Sequence, residues 1–238
     1  MTAAVFRALH HDRPDGDPLV LPGPWDAASA KVLADAGFPA LATPSAGIAA
    51  SLGYEDGSVP AEEMFAAVAR IAGAVSVPVS ADIEAGYGLA PRELVGRILE
   101  TGAVGCNLED SEGHATLKDP GRHADWLAEV RAEAGEDLFV NARVDTFVVG
   151  AGDPADALAR ARAYLGAGAD CIYPILAPAE VIPTLRDGIE GPLNLVARPG
   201  RDSVAEVARL GATRITFGPG MQRHAAGVLG ELADELRV

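Results

Sequence analysis

The chain has 238 residues, a length for one large domain or two small ones, and 49% hydrophobic with 22% charged residues is a globular rather than disordered composition. A single core of that size buries roughly 70–75% of the unfolded surface and needs no staple. Its 34 acidic against 19 basic residues leave a net charge of −15, which argues against nucleic acid and against an anionic membrane surface as partners.

The N-terminal segment lacks the basic start and long apolar run of a signal peptide, and no run of about 18 apolar residues predicts a membrane span. Cys106 and Cys171 lie in apolar stretches without Cys-x-x-Cys spacing. They read as small buried thiols in a reducing cytoplasm, not as a disulfide or zinc site.

The segment before Leu19, with Phe6 and Leu9, predicts a short N-terminal helix. Strand Leu19–Leu21 then leads to helix Asp26–Ala36, and strand Ala40–Thr43 to helix Ala61–Ala74. Strand Val77–Asp82 precedes helix Pro91–Thr101, and strand Gly105–Glu109 precedes helix Pro120–Ala134. Strand Leu138–Arg143 pairs with helix Pro154–Gly166, and strand Cys171–Pro174 with helix Pro178–Arg186. Strands Leu193–Ala197 and Arg214–Phe217 alternate with helices Ser203–Leu210 and Met221–Leu236. Pro91, Pro120, Pro154 and Pro178 suit first helical turns, where the missing N–H costs nothing. Gly37, Gly102, Gly135, Gly168 and Gly211 fall where helices should end.

Continuously apolar strands imply a parallel sheet covered on both faces. Eight βα units of about thirty residues predict a closed (β/α)8 TIM barrel in one domain spanning 1–238, with the N-terminal helix plugging its base. An open doubly wound sheet is the runner-up; no Gly-x-Gly-x-x-Gly follows the first strand.

Active sites of such barrels lie at the C-terminal strand ends. There the third strand carries Asp82 and Glu84, two apart and so on one face of an extended chain. The fourth ends in Asn107-Leu-Glu109-Asp110, the fifth in Asn141-Ala-Arg143-Val-Asp145. Two carboxylates 4 Å apart repel by about 4 kcal/mol at an effective dielectric near 20. A bound cation relieves this, and an oxygen-only donor set favours Mg²⁺ or Mn²⁺. Salt bridges or helix caps are the alternative for Asp82, Glu84 and Glu109. Arg143 suits a substrate carboxylate, with an ion pair to Glu109 or Asp145 as its alternative.

Val79-Ser-Ala-Asp82-Ile-Glu84-Ala-Gly86-Tyr-Gly88 resembles the metal-binding strand of the isocitrate lyase/phosphoenolpyruvate mutase superfamily. Pro22-Gly-Pro-Trp25-Asp26, Ser45-Ala-Gly47, Gly105-Cys-Asn-Leu-Glu109-Asp110 and Asn141-Ala-Arg143 agree in order, so the resemblance covers about residues 5–237. It implies Asp82 as direct Mg²⁺ ligand, with Glu84, Glu109 and Asp56 holding its waters; Glu84 is an Asp in most relatives. It implies Arg143 as the carboxylate-binding arginine, the backbone N–H groups of Ser45 and Ala46 cradling the same end, and Trp25 in the substrate site.

The loop Asp110-Ser-Glu-Gly-His114-Ala-Thr-Leu-Lys118-Asp-Pro120 departs from that family pattern: neither the lyases' catalytic Cys nor the phosphonate enzymes' gating residues are there. His114 is the candidate acid/base, since its ordinary pKa lies near working pH; the alternative is a solvent-exposed loop histidine. Lys118 reads as an exposed helix-entry charge, and Arg198 as either a second anion contact or a surface salt bridge. Relatives of this kind often continue past the last helix into one swapped between subunits. This chain stops at Val238, so no extended swapped C-terminal helix is predicted, and a homo-oligomer is an open expectation.

The resemblance implies a Mg²⁺-dependent carbon–carbon lyase, acting through a metal-stabilised enolate on a small anionic 2-oxo or 2-hydroxy carboxylic acid of oxaloacetate or alkylmalate type. A phosphonate enzyme, a phosphoenolpyruvate mutase or phosphonopyruvate hydrolase, is the first alternative. A non-catalytic 2-oxo-acid-binding protein is the second.

Overall fold

Short strands buried on both faces alternate with helices along the whole chain. The computed structural model describes residues 1–237 apart from 12 and 15. The first half comprises α1 (Ala3–His11), β1 (Leu19–Val20), α2 (Ala27–Asp35), β2 (Leu41–Ala42), α3 (Ser45–Leu52), α4 (Ala61–Ala72), β3 (Val79–Asp82), α5 (Pro91–Glu100) and β4 (Gly105–Glu109). The second comprises β5 (Ser111–Glu112), β6 (Thr116–Leu117), α6 (Pro120–Ala134), β7 (Phe139–Val144), α7 (Pro154–Gly166), β8 (Cys171–Pro174), α8 (Ile182–Gly188), β9 (Asn194–Val196), α9 (Val204–Arg209), β10 (Arg214–Thr216) and α10 (Gly220–Glu235).

The parallel strands form two arcs, β1-β10-β9 and β2-β3-β4-β7-β8. An Ile172–Leu193 bridge joins β8 to β9, and the Ala42 N–H donates to Pro22 O at 3.1 Å between β2 and β1. The arcs thus close into the expected (β/α)8 barrel, with all strand C-termini at one rim.

Local chemistry starts and stops the helices. Asp26 and Ser29 make a reciprocal capping box, as do Ser203 and Glu206. Asp119 and Asp153 cap α6 and α7 directly before Pro120 and Pro154. Gly168 and Gly211, at φ of 96° and 94°, turn helices into β8 and β10, a conformation that L side chains resist.

Four elements differ from expectation. α8 starts at Ile182, not at Pro178. Pro183 fits only a first turn, so a helix begun at Pro178 would have been broken at its centre. α3 was unpredicted, as was the antiparallel β5–β6 hairpin. α10 forms nearly where expected, but none of its residues is buried, and Val228, Leu229, Leu232 and the following Leu236 are exposed.

α1 plugs the barrel base with Phe6 and His10; Leu9 is only half-buried. His10 stacks on Phe139 at 4.1 Å between ring centres and bonds Phe6 O through Nδ1 at 2.8 Å. Burial, with the nearby Arg214 charge, lowers its pKa to about 3; burial, with Lys118 and Arg160, does the same to His123. Both folded values lie below the unfolded one, near 6.5, so their stabilising effect is full above about pH 6.5 and lost as pH falls toward 3. Each should cost about 2 kcal/mol between pH 7 and pH 5. Thermal melts of wild type and His123→Phe across that range check this; the variant should lose less stability on acidification, and equal loss would refute the assignment.

Candidate active site

Asp82 ends β3 at the rim, where its backbone N–H donates to Thr43 Oγ1 at 3.2 Å. Ser45 donates to Asp82 Oδ2 through Oγ at 2.9 Å and through its backbone N–H at 3.3 Å. Ser45 is the first residue of α3, so the positive end of that helix faces the carboxylate. The Ser45 N–H therefore serves Asp82. Ala46 contributes to the cavity wall beside it.

Glu84 follows with a left-handed φ of 49° that folds it inward, to 8% exposure. Burial first, then the charges of Asp82, Glu109 and Asp56, push its carboxyl up to about 7. Asp82 Oδ1 and Glu84 Oε1 are both buried without a hydrogen-bond partner, a costly condition unless a partner reaches them.

Glu109 and Arg143 sit opposite each other in the β4–β7 register. Glu109 Oε2 lies 2.5 Å from Arg143 Nη2 and 3.3 Å from His114 Nε2. These are ion-pair contacts, bent too far to count as linear hydrogen bonds. Arg143 also holds Asp145, Nε to Oδ1 at 2.6 Å and Nη2 to Oδ2 at 2.9 Å. Both alternatives for Arg143 are thus realised on its Nε and Nη2 side, and Nη1 has no protein partner among the described residues.

A buried layer fixes this pair. Ser111 Oγ donates to Asp145 Oδ2 at 2.5 Å. Asp110, wholly buried, accepts from the Asp145 N–H at 2.7 Å, the Tyr164 hydroxyl at 2.7 Å and Arg160 Nη1 at 3.1 Å.

His114 is not a solvent-exposed loop residue. It occupies the β5–β6 turn at φ 56°, half-buried against Glu109. The Glu109 carboxylate raises its pKa, with burial opposing. Lys118 is also not an exposed helix-entry charge. Its half-buried ammonium donates to Glu109 O at 3.2 Å and lies 5.6 Å from the centre of the Trp126 ring.

Asp56, Asp82, His114 and Arg143 share one cavity of about 190 Å³ with Ser45, Ala46, Tyr173 and Leu176. Glu84 and Glu109 stand behind it. Trp25 and Arg198 are not brought there. Trp25 lines a separate apolar groove between α2 and α10. Arg198 turns to Asp202, bonding it through Nε and Nη2 at 2.8 Å each. Chain proximity to a strand end does not set side-chain direction, which is why both were drawn in by sequence. Asn107 was missed: it lines the cavity and accepts from Asn141 Nδ2 at 2.7 Å. Its alternation with Glu109 along β4 was the available signal.

Among the described residues no three of His, Cys, Asp or Glu converge tightly enough to enclose a metal ion. The two orphaned carboxylate oxygens nonetheless fit a hard cation whose other positions are filled by water. Cys106 and Cys171 are fully buried and burial pushes both thiols up to about 12, so neither supplies a nucleophile. No helix among the described residues is long and apolar enough to cross a membrane.

Comparison with known proteins places this site in a family. Residues 6–237 match the family model described as phosphoenolpyruvate phosphomutase. A solved structure assigned as a phosphonomutase from Burkholderia cenocepacia J2315 superposes with a TM-score of 0.89, at 38% identity over 98% of this chain and 99% of the other. The 2,3-dimethylmalate lyase of Eubacterium barkeri is 32% identical over 185 residues, 72% of this chain and 62% of its own length. A phosphonopyruvate hydrolase structure, in complex with oxalate and Mg²⁺, superposes with a TM-score of 0.87 at 25% identity, over 100% of this chain and 87% of the other. The fold, the ordered strand-end motifs and these matches agree: the chain belongs to the phosphoenolpyruvate phosphomutase family, within the isocitrate lyase/phosphoenolpyruvate mutase superfamily of lyases and mutases.

Proposed function

We propose that the protein is a Mg²⁺-dependent carbon–carbon lyase acting on a small 2-oxo or 2-hydroxy carboxylic acid. The observation that carries this reading is the pair of orphaned carboxylate oxygens, on Asp82 and Glu84, at a mouth that also holds Arg143 and His114. Asp82 and Glu84 would hold the cation, with Glu109 and Asp56 bonding its waters. Bound there, it supplies Lewis-acid stabilisation of negative charge developing on a substrate oxygen.

The chain's own residues do the rest. Arg143 Nη1, braced by Asp145, binds the substrate carboxylate, and the positive end of α3 faces the same space. Glu109 favours the protonated form of His114, whose Nε2 can deliver a proton to the carbon released by bond cleavage and take one back from a hydroxyl. Tyr173, which is buried, and Ile175 narrow the cavity.

His114→Gln should lower turnover by about 10²–10⁴-fold. Because the folded His114 pKa is raised, the wild-type rate should fall on the alkaline side of about pH 6.5, where that proton is lost. The variant should lack this limb. A pH–rate profile identical in both proteins would remove His114 from the mechanism.

The similarity to phosphonopyruvate hydrolase favours one further reading, phosphonate chemistry at the same residues. Phosphate release from phosphonopyruvate, assayed beside cleavage of oxaloacetate and alkylmalates, separates the two. The reading also includes a homo-oligomer in a reducing cytoplasm, a second copy covering the exposed Val228, Leu229 and Leu232 of α10. Leu229→Glu with Leu232→Glu should then reduce the mass measured by light scattering. An unchanged mass would count against it.

A further inference from the structure

We propose that Arg214 is a positioning residue of this site: from the barrel interior it fixes the Asn107 amide so that Nδ2 faces the cavity and donates to an oxygen of the bound acid. That a carboxylic acid binds there rests on the proposed reading of the cavity; the part played by Arg214 goes beyond it.

Three arginines are buried among the described residues. Arg143 holds Asp145 and Glu109, and Arg160 holds Asp110 and Asp156. Arg214, wholly buried, meets no carboxylate among the described residues, and its Nε and Nη1 have no hydrogen-bond partner. Burial holds its pKa below the usual arginine value. A buried charge without a counter-charge is costly. Cation–π contacts with Phe6 and Phe139, at 5.8 and 6.0 Å from the ring centres, lie at the outer limit of such attraction and offset little of that cost.

The position of Arg214 explains what it is kept for. It opens β10, two residues before Thr216, so both point into the barrel, and Thr216 lines the cavity. The guanidinium thus lies one layer beneath the cavity floor. It crosses to the far wall, where Nη2 donates to Ser80 Oγ on β3 at 3.4 Å and to Asn107 Oδ1 on β4 at 3.3 Å. Asn141 Nδ2 donates to the same Oδ1 at 2.7 Å. Two donors at one end leave the amide a single orientation, with its oxygen toward them and Nδ2 away. Asn107 lines the cavity beside Asp82 and Arg143, so Nδ2 is turned to that space. A guanidinium on Oδ1 also polarises the amide and strengthens Nδ2 as a donor.

The test combines melts without metal or ligand and calorimetric titration with oxalate and 2-oxobutyrate at saturating Mg²⁺. Arg214→Met should melt no lower than wild type, because a buried unpaired charge is replaced by an apolar chain of similar length. It should nevertheless bind both probes about 3–10-fold more weakly, the loss of one well-placed hydrogen bond. Asn107→Ala should weaken binding at least as much, and adding Arg214→Met to it should cost no further affinity. A lower melting temperature for Arg214→Met, wild-type affinity in that variant, or the same loss in the Asn107→Ala background would each overturn this inference and leave the cavity reading standing. No binding of either probe by the wild type would overturn the cavity reading, and this inference with it.

Discussion

Asp82→Asn should lower turnover on the order of 10²–10³-fold, the scale set by removing one preorganised electrostatic group, while leaving the fold intact. Asparagine keeps the volume and an oxygen for the Ser45 hydroxyl, which donates to Asp82 Oδ2 at 2.9 Å. It removes the charge at Oδ1, the buried oxygen with no protein partner. In the absence of metal the variant should melt no lower than wild type. Asp82 is one of the charges that drive the Glu84 carboxyl up to about 7, and that repulsion disappears with it. The two readouts therefore separate. A structural role for Asp82 would lower the melting temperature, whereas a metal-holding role lowers activity and abolishes stabilisation by Mg²⁺.

Asp110→Ala should destabilise the protein by about 3–5 kcal/mol, the usual cost of removing one partner from a buried ion pair. Three donors converge on Asp110: the Arg160 guanidinium, the Tyr164 hydroxyl and the Asp145 N–H. Arg160 keeps Asp156, with Nε to Oδ2 at 2.8 Å, but Asp156 is partly exposed and cannot take over the buried donors. Denaturant melts measure the loss. Asp110→Leu combined with Arg160→Met should recover much of it, since the stranded charge is removed as well. A loss below about 1 kcal/mol would mean that water replaces the carboxylate freely. The variant should also raise KM more than it lowers kcat, because Asp145, which orients Arg143, loses its own anchor.

The barrel was legible because eight apolar strands and their Pro and Gly punctuation repeat one device. What escaped is explained by burial and by length. α3 reads Ser45-Ala-Gly47-Ile-Ala-Ala and packs Ser45, Gly47, Ile48 and Ala49 inside, so it lacks the polar face that gives a helix its period. β5 and β6 have two residues each, too few to alternate visibly. Yet that hairpin places His114 over Glu109 and leaves it half-buried. The acids of the mouth were legible from their spacing at strand ends. Their partners were not: Arg143 could be read as clamp or as ion pair, and only the folded register Glu109↔Arg143 shows that it is paired on one side and open on the other. Trp25 and Arg198 share the chain neighbourhood of the rim, but their side chains leave it.

A net charge of −15 does not preclude an anionic ligand, because local arrangement decides the field at the mouth. The account requires that a cation and a carboxylate bind there together. Calorimetry of 2-oxobutyrate binding, with Mg²⁺ and with EDTA, in wild type and Asp82→Asn, tests this most directly. Binding in the wild type with Mg²⁺, abolished both by EDTA and by the substitution, is the predicted result. Equal affinity in EDTA, or undiminished Mg²⁺-dependent binding by Asp82→Asn, would contradict it.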